Sequence, residues 1–119
     1  MTFRALCLAP VLAMLAAAPA LANTKLVLAQ PGPRSVVALP LRVLVLSFSA
    51  PVDVAFSDVT ITDSQGDPIA AARPQAVAGQ PFELAVPVNI THGGRYTVTW
   101  QVSAYAQHTT GHYSFTVTQ

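Results

Sequence analysis

The chain has 119 residues, room for one domain, with 52% hydrophobic and 9% charged residues and a formal net charge of +1. As an average this would suggest a membrane protein, but the excess is concentrated at the start: from Met1 to Ala22 every residue except Thr2, Arg4, Pro10 and Pro19 is hydrophobic. From residue 23 onward five basic residues (Lys25, Arg34, Arg42, Arg73, Arg95) balance five acids (Asp53, Asp58, Asp63, Asp67, Glu83), and the lack of a basic stripe excludes the usual nucleic-acid footprint.

Residues 1–22 read as a secretory signal. Arg4 supplies the positive start, Ala5 to Ala18 an apolar stretch too short to cross a bilayer comfortably, and Ala20-Leu21-Ala22 a small-x-small cleavage site. Cleavage is expected before Asn23, leaving a domain over 23–119 exported to a bacterial periplasm. Cys7 lies inside the signal, too early for a lipid-acceptor cysteine, so no lipid anchor is expected. Met1, Met14 and Cys7 all leave with the signal, and the exported part then has no disulfide and no thiolate or thioether ligand.

After residue 23 no long window has helical periodicity. Short strands are expected at Lys25–Ala29, Val43–Phe48, Val59–Asp63, Ile69–Arg73 and Phe82–Val86. The clearest alternation comes last: Tyr96, Val98, Trp100 and Val102 alternate with Thr97, Thr99, Gln101 and Ser103, and Tyr113, Phe115 and Val117 with Ser114, Thr116 and Thr118. Between them lie turn signals such as Pro31-Gly32-Pro33, Ser64-Gln65-Gly66-Asp67, Gly79-Gln80-Pro81 and Gly93-Gly94. About seven short strands at roughly ten-residue spacing fit an all-β, Greek-key β-sandwich. Phe48, Phe56, Tyr96, Trp100 and Phe115 are its expected apolar centre.

Nothing in this pattern assembles an enzyme. Asp63 and Asp67 bracket a turn, and Asp53 and Asp58 read as solvated or capping side chains. There is no Gly-x-Ser-x-Gly elbow, His-Glu-x-x-His, phosphate-binding Gly loop or nucleophilic cysteine. Asn89-Ile90-Thr91 matches a glycosylation sequon of the kind that arises often by chance. The three histidines are the suggestive set: His92 before Gly93-Gly94, His108 in an expected loop Ala104–Thr110, and His112 at the start of the last strand. Imidazole suits copper or zinc, and a four-residue gap across a loop can bring two rings to one ion. The same residues also read as three polar side chains on an exposed rim.

The stretch from Tyr96 to Val117 narrows this reading: Tyr96-Thr-Val-Thr-Trp100-Gln-Val-Ser, a short loop with His108, and Gly111-His-Tyr-Ser-Phe115-Thr-Val. It resembles the closing signature of the CopC family of periplasmic copper-resistance proteins, Tyr-x-Val-x-Trp-Arg-Val-Val-Ser-x-Asp-x-His-x-x-x-Gly-x-x-x-Phe-x-Val. Leu46-Ser-Phe48-Ser-Ala-Pro51-Val and Ala55-Phe56-Ser57-Asp58-Val-Thr-Ile-Thr-Asp63-Ser-Gln-Gly66 are similar to two further family segments, in the same order. The resemblance implies a cupredoxin-like or immunoglobulin-like sandwich. It also implies a Cu(II) site made from a mature N-terminal His with its free amine and from the Asp and His of an Asp-x-His motif.

This chain departs from that ligand set. Its mature start is Asn23-Thr24-Lys25, with no His, and it is one residue shorter between Trp100 and Gly111 than the signature. Counted from Trp100, His108 takes the place of the motif His and Ala106 that of the Asp. Counted back from Gly111, Gln107 replaces the His and Tyr105 the Asp. Candidate copper ligands are therefore His108 with His112, joined by the Asn23 amine or His92. The expected function is a non-enzymatic periplasmic protein that sequesters Cu(II) or delivers it to a partner such as an inner-membrane copper transporter. The alternative is a metal-free interaction module of the same fold that contacts an envelope or transporter partner.

Overall fold

Alternation of apolar and polar residues becomes a two-layer structure once each apolar face meets another. The computed structural model describes residues 24–119; the expected signal segment and Asn23 lie outside the described residues. Eight strands form: β1 (Leu26–Gln30), β2 (Val36–Ala38), β3 (Leu41–Phe48), β4 (Asp58–Thr62), β5 (Gln75–Val77), β6 (Gln80–Ile90), β7 (Gly94–Ala104) and β8 (Gln107–Thr118). A 3-10 turn at Val54–Phe56 is the one helical element among the described residues. One sheet has the order β1-β3-β6-β5 and the other β2-β8-β7-β4. All pairings are antiparallel except β2 with β8. The sandwich expected from the strand pattern is what forms.

The inward positions follow period two. Leu44, Leu46 and Phe48 of β3 and Leu84, Val86, Val88 and Ile90 of β6 face Val59 and Ile61 of β4, Tyr96, Val98, Trp100 and Val102 of β7, and Tyr113, Phe115 and Val117 of β8; all are buried. Each such side chain contributes about 1.5–3 kcal/mol by leaving water, and this burial holds together a domain that has no disulfide. Tyr96 and Phe115, paired across β7 and β8, stack with centroids 5.9 Å apart. Phe48 meets Trp100 edge-on across the two sheets at 5.2 Å. Trp100 lies opposite Gly111, and a Cβ placed at Gly111 would overlap the indole, with Cζ2 as its nearest neighbour. Only a residue without a side chain fits under that ring.

Two expectations from the sequence fail, and two short strands form where none was expected, each for an identifiable reason. Phe56 is not in the core: it lies in the 3-10 turn, 66% exposed, while Val52 and Val54 pack against the core in its place. Ile69–Arg73 does not become a strand. Ala71 makes one isolated bridge to Val88, and Ala72 N–H donates to the Pro87 carbonyl, but Pro87 and Pro74 have no N–H with which to extend the ladder. β5 forms after Pro74 instead. β2, three residues long, carries no signal of its own and arises from its pairing with the outer end of β8.

Tyr113 ties this last strand to the first. Its buried hydroxyl donates to the Pro31 carbonyl at 2.9 Å, and burial pushes its pKa from 10.0 up to about 12. The neutral hydroxyl is thus favoured by folding. In the unfolded chain it ionises at its ordinary value, so its contribution is fully present below pH 10 and is lost as the pH rises toward about 12.

Two measurements check this account. Gly111→Ala is expected to lower stability by about 1–3 kcal/mol through overpacking against Trp100, read as a lower urea midpoint with an unchanged slope; an unchanged midpoint would remove the steric role. Tyr113→Phe is expected to cost about 1 kcal/mol at neutral pH through loss of the bond to Pro31. Its stability should also decline less steeply than the parent's between pH 10 and 12, and parallel declines would contradict the assignment.

Candidate metal centre at the hairpin end

The β7–β8 hairpin decides where the candidate ligands stand. The expected loop over 104–110 is not there: the strands are joined by Tyr105 and Ala106 alone, with Ala104 paired to Gln107. Both turn residues have positive φ, 53° and 63°. That is the pattern of a type I′ turn, whose twist matches that of the flanking strands but which favours Asn-Gly. The continuous register from Gly94↔Val117 to Ala104↔Gln107 holds the two side-chain-bearing residues in this conformation.

His108 and His112 therefore lie in the ladder, opposite Ser103 and Thr99. They alternate with inward Tyr113 and Phe115 and so point outward, and both are exposed. At about 3.3 Å per residue their Cα atoms are about 13 Å apart, with Thr110 between them on the same face. The two histidines share a face but the strand does not make their rings converge.

Other segments reach the same end of the sandwich as His108. Lys25 N–H donates to Ser49 Oγ at 2.8 Å and Ser49 N–H to the Lys25 carbonyl at 2.8 Å, which fixes the start of the described chain beside the end of β3. Asp53 N–H donates to the Ser103 carbonyl at 2.8 Å, and Val52 N–H to the Pro81 carbonyl at 3.1 Å. Buried Ser57 donates its hydroxyl to the Asp53 carbonyl at 2.7 Å and accepts from Ser103 N–H at 3.3 Å. These bonds gather the amino-terminal approach, the segment between β3 and β4, the β5–β6 turn and the β7–β8 turn at one end. Asn23 itself lies outside the described residues, but Thr24, which follows it, is buried at this end.

Sequence reasoning missed two features here. The Asp53 side chain makes no capping bond at the 3-10 turn and, with Ser103, lines a groove of about 460 Å³. Phe56 and Tyr105, 66% and 70% exposed, form its aromatic walls. No local motif announces either, because the groove is made by Asp53 of the β3–β4 segment reaching Ser103 of β7, a contact between distant parts of the chain. The other carboxylate in this stretch, Asp58, accepts the Val59 N–H at 3.0 Å.

His92 belongs to the opposite end. It precedes β7, whose 11 residues separate it from the hairpin turn by roughly 30 Å. Its carbonyl accepts the Tyr96 hydroxyl at 2.8 Å and its Nδ1 lies 3.2 Å from Thr91 Oγ1. The structure does not bring it together with His108 or His112. Among the described residues no group of three or more His, Cys, Asp and Glu side chains is gathered closely enough to hold an ion.

Known proteins place the chain. No curated protein matches it. Among solved structures it is similar to CopC from Methylosinus trichosporium OB3b, at 29% identity and a TM-score of 0.74, covering 80% of this chain and 93% of that one. It is also similar to PcoC, a methionine-rich copper resistance protein from Escherichia coli, at 28% identity and a TM-score of 0.72, covering 82% of this chain and all of that one. The model of the CopC domain matches residues 26–118, from the first residue of β1 to the last of β8, and the chain belongs to the CopC family.

Proposed function

We propose that this protein is a periplasmic copper-handling protein of the copper-resistance type that holds Cu(II) at the hairpin end and passes it to a partner such as an inner-membrane copper transporter. The observation that carries the reading is that, in a CopC domain, the amino-terminal approach and His108 lie at the same end of the sandwich. After cleavage before Asn23 the new amine would be one nitrogen ligand and the His108 imidazole a second, with Asp53 offering a carboxylate at the same end. Nitrogen and oxygen donors of this kind suit Cu(II). Residues 24–119 contain neither Met nor Cys, so the thioether chemistry suited to Cu(I) has no donor here. His112 stands two outward positions further along β8, beyond Thr110, and contributes less than His108 because the strand does not turn the two rings together.

A second reading is favoured by the exposed Phe56 and Tyr105 at the same end. In it the sandwich is an interaction module that contacts an envelope or transporter partner without metal. The two readings separate under chelation, because only the first requires the ion.

Copper titration of protein beginning at Asn23, followed by calorimetry and electron paramagnetic resonance, is expected to show close to one Cu(II) bound with nitrogen coupling. His108→Ala and a one-residue extension before Asn23 should each weaken binding by roughly tenfold or more, about 1.4 kcal/mol. His112→Ala should have a smaller effect and His92→Ala none. Absence of uptake at micromolar copper, or a His108→Ala protein that binds like the parent, would overturn the metal reading. Capture of the same transporter partner with chelator present and absent would support the second.

A further inference from the structure

At the far end of β8 from the hairpin, a different chemistry gathers on the outer face. Gly32-Pro33-Arg34-Ser35 form a turn closed by Ser35 N–H to the Gly32 carbonyl at 3.2 Å. Proline at its second position and positive φ at its third is the pattern of a type II turn, in which glycine or asparagine is the favoured third residue. Here that residue is Arg34, at φ 60°. The conformation is held by Arg34 N–H donating to the Ser114 carbonyl at 2.7 Å and by Thr116 N–H donating to the Ser35 carbonyl at 2.9 Å. Arg34 is thereby fixed on one side of β8, beside Ser114.

Arg95 stands on the other side. It is paired with Thr116 across β7 and β8 and is exposed on the outward face, in alternation with buried Tyr96. Two inter-strand spacings and a two-residue offset along β8 put the Cα atoms of the two arginines about 12 Å apart, within reach of one ligand for two long side chains. Between them lie the outward side chains of Ser114 and Thr116, and Thr97 Oγ1 is 3.0 Å from Ser114 Oγ. Arg34, Arg95, Ser114 and Thr116 line a depression of about 270 Å³, and no carboxylate contributes to its lining. Asp63, at the end of β4 next to β7, turns its Oδ1 to the N–H groups of Gln65 and Asp67 at 2.9 and 3.0 Å within its own turn.

We propose that Arg34 and Arg95, with the hydroxyls of Ser114 and Thr116, form a binding site for a small tetrahedral oxyanion of the phosphate class. Guanidinium forks bind such oxygens in pairs, and hydroxyls supply further donors. The depression is smaller than the usual drug-sized pocket, which fits a phosphate group rather than a large organic ligand. An arginine placed where glycine would relieve the backbone is explained if its guanidinium serves a ligand. The phosphate group would come either from a free anion or from the headgroup of an anionic lipid, and both would meet the same four side chains.

The test uses the exported chain, isotope-labelled, titrated with inorganic phosphate against sodium chloride at matched ionic strength, with chelator present so that copper plays no part. Saturable shifts are expected at the Ser114, Thr116 and Arg95 amides, with a phosphate-dependent rise in thermal midpoint. Arg95→Gln should weaken the response by roughly tenfold, as expected for loss of a charge-assisted contact. Arg34→Gly should abolish the response while keeping or raising the thermal midpoint without phosphate, because glycine suits the left-handed position; this separates loss of the site from loss of the fold. Co-sedimentation with phosphatidylglycerol vesicles but not phosphatidylcholine vesicles, lost in Arg34→Gly, would assign the site to lipid headgroups. Phosphate saturation without vesicle binding would assign it to a free anion. A response equal to that in chloride, or one that survives in both arginine variants, would overturn the proposal.

Discussion

Trp100 of β7 lies edge-on to Phe48 of the facing sheet and directly over Gly111 of β8, where no Cβ could stand. This contact joins the two layers and also selects one register for the long hairpin. A slip of β8 by one residue would put Thr110 or His112 under the indole and turn Tyr113, Phe115 and Val117 to solvent. With Trp100 opposite Gly111, the intervening residues pair off from Gln101↔Thr110 to Ala104↔Gln107 and leave Tyr105 and Ala106 as the whole turn. The positive φ of both turn residues, the outward aim of His108 and its place opposite Ser103 all follow. Among the described residues the buried indole Nε1 has no hydrogen-bond partner, a polar cost accepted where the ring packs closely over Gly111.

The strands at the centre of each sheet could be read from the sequence because their cause is local. A residue such as Val98 is buried whichever partner it meets, so the period-two pattern marks β7 and β8 without knowledge of the fold. β2 and β5 could not be read in this way. They are short edge strands specified by the neighbours they dock against, and β2, near the start of the domain, finds its parallel partner in the last strand of the chain. Phe56 was misleading for a related reason: hydrophobicity alone does not reveal that the Asp53 to Ser103 bond turns this stretch into a 3-10 turn facing solvent.

The candidate site was legible as residue types but not as geometry. Histidine at 108 and 112 suggested two rings across a loop, a reading that depended on loop length. The chain is one residue shorter between Trp100 and Gly111 than the signature it resembles, and the structure shows where that shortening is felt. Either counting puts a residue in place of the motif Asp, Ala106 or Tyr105, and these two are the turn itself. The departures from the ligand motif and the tightness of the hairpin are thus one structural fact. Asp53 reaches the same end from another segment, a relation visible only after folding.

One strand face carries both proposed sites. His108, Thr110, His112, Ser114 and Thr116 follow one another outward along β8, with the copper candidate at the turn and the arginine pair near the other end. The strand from His108 to Ser114 spans about 20 Å, more than twice the screening length of about 8 Å at physiological ionic strength. A divalent cation at one end therefore neither recruits nor repels an oxyanion at the other by charge alone. Net charge explains nothing here either, because the acids and bases of residues 23–119 cancel and each site depends on its own few side chains. Any coupling between them would have to pass through the ladder of β7 and β8, whose register is locked by Trp100 and which offers no second arrangement to switch to. The same rigidity that positions His108 at one end and Ser114 at the other makes the two sites independent.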